Sequence, residues 1–143
     1  MKMVKKEKVV LTMGRKKTAI ARVRVKEGIG DIKVNGVPIS LLKPAAAMEI
    51  IMEPIVIAQN VLGKGFENGL DIRVNVKGGG VMGQAYATRT AIGKALVKWS
   101  ENENLKKAYH DYDRSLIIDD VRIKEAKKYL RKGARAKPIK SFR

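Results

Sequence analysis

The sequence has 143 residues, of which 45% are apolar, and its formal net charge is +17. It contains no cysteine and one histidine, His110, which excludes a disulfide framework, a thiolate metal site and a histidine cluster for a metal. No apolar run approaches the roughly 18 residues of a membrane span, and the lysine-rich start lacks the apolar segment of a signal peptide. We therefore expect one intracellular, soluble domain without a cofactor or a membrane partner.

The placement of the charge is more informative than its size. Residues 1–26 hold ten Lys and Arg against one Glu, residues 27–123 hold twelve against twelve, and residues 124–143 hold nine against one. Basic ends on a neutral body are typical of a protein that binds a polyanion, so nucleic acid is the leading partner. The alternative, that these charge runs are merely solvated tails, stays open from composition alone.

The first quarter of the chain predicts a basic arm and two strands. Residues 1–8 show no periodicity and form the arm. Apolar and polar residues alternate over residues 19–26, which predicts a half-buried strand with Arg22 and Arg24 on its outer face. Residues 31–35 repeat the alternation after a glycine-containing turn, so we predict that the two strands pair as a hairpin.

The middle of the chain predicts a helix, a strand and a second helix. Residues 45–62 are nearly all apolar and indicate a buried packing helix. Pro54 should kink or split it, because proline lacks the N–H that the helix needs and its ring clashes with the preceding turn. Residues 70–77 alternate as a strand with one wet face, and residues 81–99 have the apolar stripe of a long helix.

Three glycines between that strand and that helix invite an enzyme interpretation. Gly78, Gly80 and Gly83 spell G-x-G-x-x-G, the dinucleotide-binding motif. Its context contradicts it, because the central strands of a dinucleotide fold are buried on both faces and a second strand must follow the helix. The phosphate-loop pattern G-x-x-x-x-G-K-[ST] also fails, because Gly83 is followed by Gln84 and the Gly93–Lys94 pair is followed by Ala95. We interpret the glycines as a flexible corner, at which an RNA backbone could approach closely.

Few residues of the last third are equipped for chemistry. His110 lies beside Asp111 and Asp113, but no nucleophile or second base is near in sequence, so we expect no catalytic site. In the preceding helix, Gln84 is assigned to packing, and Arg89 is left open between packing and RNA. The boundaries that follow are a basic arm at 1–8, a globular domain at 9–120 and an extended basic tail at 121–143 that orders on RNA.

Three segments together resemble the universal ribosomal protein numbered nine in the small subunit. They are GRKKTAIARVRV at 14–25, GGGVMGQAYATRTAIGKAL at 78–96, and a tail with KGAR at 132–135 that ends SFR at 141–143. The resemblance spans almost the whole chain, and the composition and ending are nearer the archaeal and eukaryotic branch. It implies an α/β (α+β) fold with a mixed four-stranded sheet, helices on one face, a left-handed crossover and a long basic C-terminal tail.

The resemblance also implies the partners. A member of this family is a structural constituent of the cytoplasmic ribosome and is not an enzyme. It binds small-subunit ribosomal RNA in the subunit head, contacts neighbouring head proteins, and extends its tail to the tRNA in the peptidyl site. The ribosomal RNA contacts so implied are Arg15, Lys16, Lys17, Arg22, Arg24, Lys132, Arg135, Lys137 and Lys140.

The end of the tail is implied to contact tRNA through Phe142 and Arg143. Phe142 replaces a lysine of the bacterial ending, and its ring would either stack on a base or pack on RNA. Two other functions stay open at this point. One is a nucleotide-using or RNA-modifying enzyme on a related α/β scaffold, and the other is a histone-like DNA binder with basic arms.

Overall fold

One mixed β-sheet organises the protein, whose computed structural model describes residues 8–137 and 140. Five strands lie in the order β1-β2-β5-β3-β4. They are β1 (Val9–Lys16), β2 (Ala19–Glu27), β3 (Ile32–Val34), β4 (Val37–Pro38) and β5 (Leu70–Lys77). The helices are α1 (Ala45–Leu62), α2 (Val81–Ser100) and α3 (Glu103–Tyr112), with short 3-10 turns at Ile39–Leu41, Phe66–Gly69 and Arg114–Leu116.

The α/β class and the mixed sheet are confirmed, with five strands in place of the expected four. The shortest strand, β4, has two residues and pairs antiparallel with β3 at the sheet edge. Two residues are too few to produce an alternating pattern. Pro38 is tolerated there because an edge strand has a neighbour on one side only, so a missing backbone N–H need not cost a hydrogen bond of the sheet.

The predicted hairpin between residues 19–26 and 31–35 was wrong, because β5 lies between those two strands. β2 pairs antiparallel with β1 and with β5, whereas β3 pairs parallel with β5, placing Ile32 opposite Ile72. Alternation shows which face of a strand is buried but does not identify its neighbour. A parallel pair needs a long crossover, which α1 supplies here; its left-handedness stays a prediction.

The helices cover one face of this sheet, and none of the elements within residues 8–137 covers the other face, here called the bare sheet face. α2 packs across β1 and β2, α1 packs on α2, and α3 packs on α1. The inward residues of the two central strands are buried: Ala19, Ala21, Val23 and Val25 of β2, and Leu70, Ile72, Val74 and Val76 of β5. The outer face of the sheet is therefore available for a partner.

α1 differs from the expectation in two respects. It is one continuous helix through Pro54, so of the predicted kink or split the split does not occur, and the kink stays a prediction. Its inner face, which includes Ile51 and Ile55, is buried, and such packing outweighs the missing backbone hydrogen bond. At 18 residues α1 also has the length and composition of a membrane span, contrary to the expectation that no run reaches that length. Here it packs on α2 and α3.

Gly14 sets the closest approach between α2 and the sheet. A Cβ at this position would lie 2.3 Å from the carbonyl oxygen of Ala87 and 2.5 Å from the amide nitrogen of Ala91. Both are backbone atoms, so the helix would have to move. Gly14→Ala should therefore lower the free energy of unfolding by about 3 kcal/mol, the upper end of overpacking effects.

Urea unfolding measures this loss, with Gly69→Ala as the matched control. A Cβ at Gly69 meets no atom within 4 Å, and its φ lies outside the left-handed region. The control should unfold at nearly the parent urea concentration. Equal midpoints for both variants would mean that α2 does not rest on β1 at Gly14.

Candidate nucleic-acid interface

The bare face of the sheet combines arginines with exposed apolar side chains. Arg22 and Arg24 of β2 lie on this face because the residues between them are buried in the core. Their partners on the flanking strands are Met13 and Asn75 for Arg22, and Leu11 and Arg73 for Arg24. These residues and Lys77 line a shallow depression of about 1010 Å³. An extended polyanion fits such a surface better than a small enclosed ligand does.

Arg15, Lys16 and Lys17 at the β1–β2 turn differ in how far other groups of the protein already bind their side chains. The Lys16 ammonium lies 3.1 Å from an Asp120 carboxylate oxygen and 5.5 Å from the centre of the Tyr86 ring. Arg15 Nε donates to the Lys17 carbonyl at 3.0 Å, and Lys17 has a left-handed φ of 53°. The charge of Lys16 is thus already neutralised in part, whereas Arg22 and Arg24 form no ion pair with the residues that the structure describes.

Two aspartates fix the root of the tail against this turn. Asp119 accepts from the Arg15 amide at 3.1 Å and pairs with Lys94 at 2.6 Å. Asp120 donates its amide to the Arg15 carbonyl at 3.0 Å, and its carboxylate binds Arg122 with two hydrogen bonds. The hydrogen bonds from Arg122 and then Lys16 hold the pKa of Asp120 well below its usual range. The tail therefore leaves the fold beside the β1–β2 turn.

Beyond Ile123 the described part of the tail contains neither helix nor strand, and most of it is exposed. Glu125 accepts two hydrogen bonds from the Arg135 guanidinium, at 2.7 and 3.0 Å, which lower the pKa of that carboxyl group. The predicted contact residues Lys132, Lys137 and Lys140 are exposed. The predicted tRNA contacts, Phe142 and Arg143, lie outside the described residues.

The glycine corner packs on the protein's own backbone. Gly78 and Gly79 have φ angles of 78° and 67°, which favour glycine. A Cβ at Gly78 would lie 2.5 Å from the carbonyl oxygen of Thr18, so the β1–β2 turn fills the space there, whereas a Cβ at Gly80 would meet no atom within 4 Å, and the approach of an RNA backbone at Gly80 stays a prediction. Gln84 donates to the Gly78 carbonyl at 3.2 Å, in agreement with its assignment to packing.

Arg89 belongs to the interior and not to the bare sheet face. Its side chain is 4% exposed and forms an ion pair with Glu53. It also binds Asp113 at 2.9 Å and the Ser115 hydroxyl at 2.8 Å. Burial lowers its pKa, but hydrogen bonds to Asp113 and Glu53 outweigh burial and raise it. The choice between packing and RNA is resolved in favour of packing.

The residues around His110 do not form a catalytic cluster. Its ring is exposed and lies 3.9 Å from Asp111, while Asp113 is engaged by Arg89. Across residues 8–137 and 140, no group of three or more His, Asp or Glu side chains is arranged to hold a metal ion. The remaining candidate surface is the basic sheet face with the tail beside it.

A basic bare sheet face and a basic tail, with no catalytic cluster among the described residues, are typical of a protein that binds a polyanion. The chain belongs to the ribosomal protein S9/S16 family, whose model matches residues 14–143. The family is structural and not enzymatic, and its place is the small subunit of the cytoplasmic ribosome. The enzyme hypothesis is thereby set aside, and the resemblance stated from the sequence is confirmed.

Three archaeal relatives share nearly half of the sequence, and each is called small ribosomal subunit protein uS9. The protein of Methanothrix thermoacetophila is 47% identical over 136 residues, covering 95% of this chain and 99% of its own length. Those of Thermoplasma volcanium and Thermoplasma acidophilum are each 46% identical over 134 residues, covering 94% of this chain and 98% and 100% of their own lengths. The expected archaeal and eukaryotic affinity agrees with these relatives.

Sequence reasoning missed part of the basic face. Arg73 and Lys77 alternate outward along β5, so the sequence placed them on a wet face without assigning a role to them. Nothing in the sequence marked Leu11 and Met13 as surface residues, because an apolar side chain in a strand is expected to belong to the core. In the structure they are 68% and 51% exposed. Only the strand order shows that these four side chains share a surface with Arg22 and Arg24.

Proposed function

We propose that this chain binds ribosomal RNA in the head of the small subunit and extends its C-terminal tail to the tRNA in the peptidyl site. The observation that carries the proposal is the match to the S9/S16 family, which continues through the tail to residue 143. The surface chemistry supports it, because the basic groups lie on one sheet face and in the tail.

The folded body would set the position on RNA. Arg22 and Arg24 neutralise phosphates and release counterions, which gives an affinity that falls steeply with salt. Phosphate contacts carry little sequence information, so the shape of the folded RNA decides where the body docks. Arg15, Lys16 and Lys17 add charge at the β1–β2 turn, with Lys16 contributing least because Asp120 already pairs with it.

The tail would place further positive charge on RNA that lies beyond the reach of the folded body. Residues 124–143 span roughly 65 to 70 Å when extended. Arg135 can exchange Glu125 for a phosphate at small cost, since both side chains are more than half exposed and exposed ion pairs are weak. Lys132, Lys137 and Lys140 then follow the RNA, and Arg143 offers a planar fork suited to two hydrogen bonds with a tRNA phosphate.

Deletion of Phe142 and Arg143 tests this assignment in reconstituted small subunits. The shortened chain should still sediment with the subunit, because the body and most of the tail charge remain. The affinity for tRNA in the peptidyl site should fall about tenfold, the size expected for loss of a charged hydrogen-bonding group. Filter binding of labelled tRNA measures it.

Arg143→Lys is the matched variant, since it keeps the charge and removes only the fork. It should retain an intermediate affinity for tRNA. If the deletion leaves tRNA affinity unchanged while the subunits are fully assembled, the tail does not act on tRNA. If the shortened chain no longer sediments with the subunit, the last two residues serve assembly instead.

A further inference from the structure

We propose that Arg24 and Arg73 form a clamp for an RNA phosphate on the bare sheet face, with Leu11 and Met13 contacting the adjoining ribose or base. This inference rests on the proposed RNA binding and names a part of the surface that no motif in the sequence assigns.

The first observation is the register of three adjacent strands. Arg73 on β5 is directly opposite Arg24 on β2, and Lys33 on β3 is directly opposite Arg73. Neighbouring strands lie about 4.8 Å apart, so three cationic side chains share one row within about 10 Å. Like charges directly opposite each other destabilise a sheet.

The second observation is that the nearby acids are committed elsewhere. Lys33 pairs with Asp31 at 2.5 Å, and Lys26 lies 3.8 Å from Asp71. Asp71 accepts hydrogen bonds from the Ile29 and Asp31 amides, at 2.9 and 3.4 Å, and the first of these contributes most to the lowering of its pKa, to which the charges of Lys26 and Arg73 also contribute. Within the described residues, no carboxylate lies within 4.0 Å of the guanidinium of Arg24 or Arg73.

These two observations leave the paired guanidinium groups of Arg24 and Arg73 open to an anion from outside the chain. A phosphate placed between two guanidinium groups accepts paired, charge-assisted hydrogen bonds from both and removes their mutual repulsion. Arg22 and Lys77, on the same face, extend the positive field to the next phosphates of a strand. One isolated phosphate would leave those two cations unused.

The third observation indicates a nucleotide, and not inorganic phosphate alone. Leu11 lies directly opposite Arg24 on β1, and Met13 lies directly opposite Arg22. Both are more than half exposed, although exposed apolar side chains beside arginines contribute nothing to solubility. A ribose or an unstacked base has apolar surface that such side chains can cover. The row therefore runs from phosphate-binding cations to an apolar edge.

Arg73→Gln in the full-length chain gives a signature with two opposite signs. The melting temperature of the free protein should rise by about 1 to 3 °C at low salt, because the repulsion between Arg24 and Arg73 is removed. The affinity for a small-subunit ribosomal RNA transcript should fall about tenfold. The slope of log affinity against log salt should become shallower by about 0.9, for one lost phosphate contact.

Lys107→Gln on α3 is the control with the same change in net charge, and it should alter neither quantity by a comparable amount. Arg73→Lys keeps the charge without the fork, so it should keep the parent melting temperature and an intermediate affinity. If Arg73→Gln melts earlier than the parent, or binds RNA with the parent affinity and salt slope, the clamp is overturned. If the unmodified chain binds the transcript and Arg73→Gln binds it equally well, only the clamp is overturned and the proposed function stands. If the unmodified chain does not bind the transcript, the clamp and the proposed function are both overturned.

Discussion

Replacing Arg89 by methionine should lower the free energy of unfolding by about 3 kcal/mol, although this residue is not among the proposed RNA contacts. Its guanidinium joins three elements of the helical layer. It pairs with Glu53 on α1, with Asp113 at the end of α3, and with the Ser115 hydroxyl in the turn that follows. The change leaves two carboxylates facing each other without their cation.

The size of the effect follows from the exposure of the partners. Removing one member of a fully buried pair costs about 3 to 5 kcal/mol. Arg89 itself is 4% exposed, but the Glu53 and Asp113 side chains are 27% and 40% exposed. Water can therefore solvate the two carboxylates in part, which places the expected loss at the lower end of that range.

Urea unfolding of Arg89→Met and Arg114→Met separates this network from a general effect of removing an arginine. Arg114 is exposed and forms no ion pair among the residues that the structure describes, so its replacement should leave the unfolding midpoint nearly unchanged. A small loss for Arg89→Met, no greater than that of the Arg114 variant, would contradict a structural role. It would then return Arg89 to the candidates for RNA binding.

The same network predicts a pH dependence. Burial raises the pKa of Asp113, but hydrogen bonds from Ser115 and Arg89 outweigh burial, so the pKa in the folded protein lies below the unfolded value. Stability from this group is present above the unfolded pKa of about 3.9 and is lost as the pH falls through the lower folded value. Arg89→Met should weaken this acid-induced loss in part, because the hydrogen bonds from Ser115 remain, and an identical pH profile for both proteins would show that Arg89 contributes nothing to it.

The sequence predicted local features of the fold well, because they depend on neighbouring residues in the chain. Alternation along residues 19–26 placed Arg22 and Arg24 outside, and the structure confirms this. Alternation could not show that β5 inserts between β2 and β3. The order of the strands depends on contacts such as the hydrogen bond that the Ile29 amide donates to Asp71, whose partners are 42 residues apart in the chain.

The sequence predicted the chemistry of the candidate site, but it did not predict which basic residues belong to it. Charge counts favoured a nucleic-acid partner, yet they treated every lysine at the β1–β2 turn alike. Lys16 pairs with Asp120, and Lys94 pairs with Asp119, two acids that the charge count assigned to a neutral body. Arg73 was missed for the opposite reason, because its significance comes from Arg24 on the adjacent strand.

Truncation after Ile123 should abolish most of the RNA affinity and leave the fold intact. It removes residues 124–143, with nine Lys and Arg against one Glu. Asp119 and Asp120 remain, so the root of the tail stays pinned to β1. The Glu125–Arg135 pair lies wholly within the removed segment, and no core residue is lost. The melting temperature should therefore stay within about 2 °C of the parent value, as expected when exposed residues are removed.

The affinity for small-subunit ribosomal RNA should fall at least about 100-fold, because each phosphate contact steepens the salt dependence by about 0.9 and the tail can supply several. The control that separates charge from sequence is a chain with the same tail residues in scrambled order. Since counterion release does not depend on the order of the residues, the scrambled tail should restore affinity for free RNA. It should not restore retention of tRNA in reconstituted subunits, which needs Arg143 at the end of a path of defined length. Full tRNA retention with the scrambled tail would show that the tail acts as charge alone.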